Sequence, residues 1–204
     1  MSTPDTILQF WFRDLTDATV IDKKAVPAKF WFNGGKAFDE EIRKKFLKIY
    51  EEAKLGECKD WEATPRGRLA LVILCDQFPR NMFRNSPQAF ETDKLALDVA
   101  LRSINDGSDR ELALIERVFL YMPLMHAESV DIQRQGVWSF EAIVAQSRNK
   151  ASHNTQYFEY NLSFARRHQI VIAQFRRFPR RNAVLKRAST ADEAAFHANP
   201  GSSF

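Results

Sequence analysis

A chain of 204 residues is long enough to bury roughly 70% of the surface that its unfolded form exposes, so a single core is expected. With 45% hydrophobic residues, 17 Phe and 4 Trp against only 7 Gly and 8 Pro, the composition excludes a disordered or fibrous chain and fits a helix-rich globular one. The formal charge of +4 is local: Arg166, Arg167, Arg176, Arg177, Arg180, Arg181, Lys186 and Arg187 form a basic stretch with no acidic residue in it, which leaves 22 basic against 26 acidic residues elsewhere. Such a stretch either forms an anion-binding face or pairs with carboxylates from other parts of the fold.

In chain order, Thr3-Pro4 supplies an N-cap followed by proline at the first helical position and opens a short helix through Phe12. Thr64-Pro65 and Ser86-Pro87 repeat the device. Phe38, Ile42, Phe46, Ile49, Tyr50 and Ala53 keep the rhythm of an amphipathic helix, which Gly56 ends in a left-handed conformation. Further helices are expected over residues 65–77, 87–105, 110–121, 127–147 and 154–175, and Thr190 with Glu193 forms a capping box before a last short one. Leu69 to Cys75 is apolar all round and reads as a central buried helix. No segment alternates like a strand. The fold class is therefore all-α, one domain of antiparallel helical hairpins over residues 1–196, with residues 197–204 a disordered tail.

The longest apolar run is seven residues, far short of the ~20 needed to cross a bilayer as a helix. The opening residues lack a basic, then apolar, leader, so a cytoplasmic location is expected. Cys58 and Cys75 have no metal-binding spacing and read as buried, reduced thiols. Neither a phosphate-cradling glycine loop nor a dinucleotide fingerprint nor a serine elbow occurs, so no cofactor and no metal are predicted.

One motif repeats. Asp76-Gln77-Phe78-Pro79-Arg80-Asn81 returns a hundred residues later as Arg177-Phe178-Pro179-Arg180-Arg181-Asn182, each time closing an apolar helix. Pro79 lacks an amide hydrogen and disfavours helix at Phe78, so the first helix is expected to stop near Gln77, with Arg80 and Asn81 meeting its last carbonyls. Two readings follow. The arginines cap helices or pair with Asp76 while Phe78 and Phe178 plug the core, or the loops converge and present Arg80, Arg177 and Arg180 or Arg181 as forks for a small anion, with Asn81 and Asn182 fixing the loops.

His126 and Glu128 follow Pro123, at the expected start of a helix that also carries Asp131 and Gln133. His126 reads first as a hydrogen-bonded structural residue; with His168 from another helix and Asp76 it is also a candidate general base. The basic stretch belongs to no nucleic-acid-binding motif, so nucleic acid is not an expected partner. Trp11, Phe12, Trp31 and Phe32 either pack the core or line a groove for a peptide.

Residues 7–12, Trp31-Phe32, residues 69–81, residues 119–128 and residues 177–182 with Ser189-Thr190 together resemble the bacterial domain-of-unknown-function 924 family, in the family's order and over nearly the whole chain. The resemblance implies a tetratricopeptide-like helical fold and no established activity. This chain has Arg176 and Lys186 where the family pattern has glycine, and Arg180 where it has histidine. The functional expectation is a helical binding module with a peptide or protein partner. The alternative is a small-molecule protein or enzyme with an Arg- and His-lined pocket for an anionic ligand.

Overall fold

The protein is seen in a computed structural model that describes residues 2–21, 31 and 34–198. Its helices are α1 (Pro4–Phe12), α2 (Gly35–Lys54), α3 (residues 65–82), α4 (Asp93–Asn105), α5 (Leu114–His126), α6 (Val130–Lys150), α7 (Thr155–Phe175) and α8 (Ala191–Ala198). No strand occurs among the described residues. The helix starts that have local caps fall where the sequence puts them: the Gly67 amide donates to Thr64 Oγ1 (3.0 Å), and the Thr190 and Glu193 amides exchange bonds with each other's side chains (2.8 and 3.2 Å). Gly56 and Gly107 take the left-handed conformation that ends α2 and α4.

Three helices depart most from expectation. Ser86-Pro87 opens only a single 3-10 turn, Pro87–Phe90, and α4 starts at Asp93 because Thr92 turns its hydroxyl onto the Cys75 carbonyl of α3 (2.6 Å). Helix α5 starts at Leu114, since Asp17, far back in the chain, accepts the Leu114 and Ile115 amides (2.9 and 3.1 Å). It then runs through Pro123 to His126. An internal proline costs ~3 kcal/mol, and the burial of every residue from Leu114 to Met125 outweighs it. The third is α3, which does not stop at Gln77.

Leu69 to Cys75 are all buried, and α3 packs against α1, α2, α4 and α5, so the predicted central helix is central. Trp11, Phe12 and Trp31 are core residues rather than a groove: Trp31 packs on Phe119 at 4.6 Å between ring centroids and donates its indole hydrogen to the Trp11 carbonyl (2.9 Å). Phe32 lies outside the described residues. The long helices α6 and α7 pack on each other and on α5. A helix enclosed by four others, as α3 is, belongs to one core, and the described residues carry no repeated solenoid of the tetratricopeptide kind. Helix α8 takes in His197 and Ala198; the rest of the expected tail, residues 199–204, lies outside the described residues. No described helix is long and apolar enough to cross a membrane.

Candidate functional site

The site begins with a proline that cannot donate a hydrogen bond. In α-geometry Pro79 would leave the Cys75 carbonyl unpaired and crowd it with its ring. The chain widens instead to a π turn over Ile73–Gln77, where the Phe78 amide reaches back five residues to the Ile73 carbonyl, and returns to α-geometry over Phe78–Met82. The released carbonyls go to side chains: Cys75 accepts from Thr92 Oγ1 (2.6 Å) and Asp76 from Arg80 Nη1 (2.6 Å). This is why the helix continues, and it leaves Asp76 in the widened turn, fully buried.

A buried carboxylate needs partners, and Asp76 has three. Its Oδ1 lies 2.8 Å from His126 Nδ1 and 3.3 Å from Arg80 Nη2, and Gln77 donates to Oδ2. Burial pushes the Asp76 carboxyl up, but Arg80 and His126 overcome this and hold it well below the usual carboxylate range. Arg80 also forks Asp93 (2.8 and 3.1 Å).

His126 is the last residue of α5, not the start of the next helix, because the helix survives Pro123. Burial pushes its imidazole below the ordinary histidine value, against the pull of Asp76. At neutral pH the ring is therefore uncharged. Facing an ionised carboxylate, Nδ1 must carry the proton, which leaves the lone pair on Nε2. Nε2 has no hydrogen-bond partner among the described residues, and the 13% exposed side chain lines a cleft of about 750 Å³. Phe90, Asp93, Leu97, Ser129 and Arg181 line the same cleft.

The second Phe-Pro-Arg loop closes on the first. Phe178 is buried like Phe78. Arg181 stacks on the Phe90 and Phe178 rings (4.7 Å each), donates to the His126 carbonyl (3.0 Å) and pairs with Asp93 (3.3 Å), so Arg80 and Arg181 share one carboxylate. Burial pushes the Arg181 guanidinium down to about 10, and its buried Nε has no hydrogen-bond partner among the described residues. His168 lies beside this group, its ring 6.2 Å from that of His126. Its Nδ1 donates to the Phe164 carbonyl (2.9 Å), and Nε2 lies 3.4 Å from Arg180. Burial first, then the neighbouring His126, push its imidazole down to about 3.

Of the residues singled out from the sequence, Asp76, Gln77, Arg80, His126, His168, Arg180 and Arg181 thus come together. The other four are tied up structurally. Arg177, expected as the second fork beside Arg80, is held instead by Glu193 (2.6 and 2.8 Å), and Arg181 takes that place. Asn182 donates to Ser189 and Glu193 (3.1 Å each), and Asn81 donates to Asp39 (2.8 Å). Glu128 sits in the loop before α6 and accepts the Phe178 amide (2.8 Å) and the Arg187 fork (2.7 and 3.0 Å). Four of the eight cations of the basic stretch meet carboxylates from elsewhere, with Glu141 on Arg166, Asp93 on Arg181, Glu128 on Arg187 and Glu193 on Arg177. Asp93 was missed. Its place in the first turn of a helix explains an acidic residue without revealing that two loops meet on it. Among the described residues no group of three or more His, Cys, Asp or Glu is arranged to hold a metal.

Arg176 and Lys186 have φ of 61° and 54°, the left-handed region in which glycine is the unstrained residue. Both positions, at which the resemblance implies glycine, are therefore bends with positive φ.

A family model described as "Bacterial protein of unknown function (DUF924)" matches residues 7–201. Among solved structures, the protein of unknown function ATU0120 from Agrobacterium tumefaciens is similar at 31% identity and a TM-score of 0.75, covering 95% of this chain and 96% of that one. No curated protein matches.

Proposed function

We take as premise that the chain belongs to DUF924, a family of bacterial proteins of unknown function, and propose that its cleft is an acid–base site for a small anionic molecule. In this reading His126 exchanges a proton with the ligand and Arg181 helps to hold the ligand's charge. The observation that carries it is the Asp76–His126 pair, buried on its carboxylate side and open to the cleft on the Nε2 side. A neutral imidazole with a fixed tautomer accepts a proton at Nε2, and Asp76 stabilises the imidazolium that forms; proton transfer of this kind contributes roughly 10²–10⁴-fold to a rate. A small anion is the class of ligand that the Arg181 guanidinium at the cleft wall favours, and the cleft volume lies within the range of about 300–1,000 Å³ typical of small-molecule sites. The peptide- or protein-binding reading, of tetratricopeptide type, loses its aromatic groove to the core.

The test uses the whole chain and its His126→Asn variant. Each is melted with phosphate, sulfate and small carboxylates and assayed for hydrolysis of phosphate monoesters, carboxylic esters and amides. The proposal expects a saturable melting shift with at least one anion, near 2.7 kcal/mol of stabilisation at about 100 times its dissociation constant, and turnover that His126→Asn removes. Absence of any anion-dependent shift, or turnover indifferent to His126→Asn, contradicts it.

A further inference from the structure

Away from the His126 cleft, α4, α5 and α6 enclose a groove of about 450 Å³ whose walls include Ile104, Arg110, Arg117, Tyr121, Trp138 and Ala142. At its base is a polar network. Arg117 is only 4% exposed; its Nε donates to Tyr121 Oη (3.1 Å) and its Nη1 to Gln146 Oε1 (3.0 Å). Burial and then Asp109 push the Tyr121 phenol up, so it stays protonated and gives its single hydrogen to Asp109. Arg117 Nη2 is left 3.8 Å from Asp109, beyond hydrogen-bonding distance, with no hydrogen bond among the described residues. A guanidinium buried to this degree normally satisfies its donors. At the mouth of the groove Arg110 is exposed and makes no ion pair among the described residues. Two cations thus border the groove against one carboxylate, and Asp109 already receives the Tyr121 hydrogen.

The other wall is apolar. Trp138 is 62% exposed, whereas Trp11 and Trp31 are core residues, and it stands beside Ile104 and Ala142. A large flat apolar surface next to an unfilled guanidinium donor is complementary to a molecule with a carboxylate at one end and a planar ring at the other. The groove is of small-molecule rather than protein-interface size. From this geometry we propose that the groove is a second binding site, one that takes an aromatic carboxylate: the carboxylate bonds to Arg117 Nη2 and Arg110, and the ring stacks on Trp138. It does not rest on the acid–base reading of His126.

The experiment titrates phenylacetate, phenylacetamide and acetate into the ¹⁵N-labelled chain and follows the Trp138 indole hydrogen and the backbone amides of α6 by NMR. Phenylacetate is expected to shift these signals saturably, and acetate and phenylacetamide to bind about tenfold or more weakly, since each lacks one half of the recognition. Arg110→Ala and Trp138→Ala alter exposed side chains, leave the fold intact, and should each weaken phenylacetate about tenfold. His126→Asn should leave its affinity unchanged, which separates this site from the cleft. The proposal is overturned by absence of saturable shifts on α6, by equal affinity for acetate or phenylacetamide, by indifference to both exposed variants, or by loss of binding in His126→Asn.

Discussion

His168 offers the sharpest energetic test of the buried cluster, because its protonation must be resisted by the fold. The ring is 5% exposed, donates to the Phe164 carbonyl, and has Arg180 and Arg181 nearby, so burial and like charge lower its affinity for a proton from the ordinary 6.5 to about 3. In the unfolded chain the same residue takes up its proton as the pH falls below 6.5, while in the folded chain it does so only near 3. The unfolded state therefore binds more protons across this window, and stability is complete above it and falls with pH inside it, by about 1.4 kcal/mol per unit. At pH 5.0 the loss from His168 is about 2 kcal/mol, a large share of the ~5–15 kcal/mol that holds a typical domain folded. His126 is lowered for the same first reason and acts in the same direction. Depressed carboxylates such as Glu193 cannot mimic the effect, since their stabilisation fades only below their unfolded values of about 4.5. Urea denaturation at pH 7.5 and 5.0 measures it directly, with His168→Gln as the control that should lose most of the difference. Equal stability of the natural chain at the two pH values, or an unchanged difference in His168→Gln, would refute the reasoning.

Other expectations are open to the same denaturation assay. Thr92→Val keeps the shape of a buried residue but strands the Cys75 carbonyl, and should cost about 1–3 kcal/mol; a neutral result would mean that the π turn satisfies itself. Asp76→Asn removes the buried charge that faces Arg80 and His126, but Arg80 keeps its Asp93 fork, so the loss is expected to be about 1–3 kcal/mol, more than removal of an exposed pair such as Arg134 with Asp131, at about 0–1 kcal/mol. Arg176→Gly and Lys186→Gly relieve left-handed backbone and should each stabilise by about 1 kcal/mol. A loss of stability in both would show that the two side chains do more than occupy strained bends.

What could be read from the sequence was what depends on neighbours in the chain. Thr64, Ser86 and Thr190 announce their turns because the cap and the capped amide are two or three residues apart. The all-α class, the central place of Leu69 to Cys75 and the burial of Phe78 and Phe178 follow from apolar pattern alone. Asp17, by contrast, caps α5 from nearly a hundred residues away, and nothing local marks it. Pro79 signals that a carbonyl will lose its partner, but whether the helix stops or widens depends on Thr92 and Arg80 being there to take the released groups. The repeated motif left two readings open, and the contacts carry parts of both: Arg80 pairs with Asp76, and Arg181 rather than Arg177 joins Arg80 on Asp93, because the choice lies with Asp93 and Glu193 on other helices. The contact of His126 with Asp76 was legible as a candidate and not as a geometry, since it depends on α5 continuing past Pro123.

The central claim is that His126 is a neutral imidazole with its proton on Nδ1 and its lone pair turned to the cleft. Imidazole ¹⁵N NMR of the labelled chain, assigned with His126→Asn, measures both properties at once. The account predicts a protonated Nδ1 and an unprotonated Nε2 at pH 7, a ring that remains neutral below the ordinary histidine value of 6.5, and an Nε2 signal that moves when a bound anion enters the cleft. A proton on Nε2 at pH 7, or a ring already charged there, would contradict it.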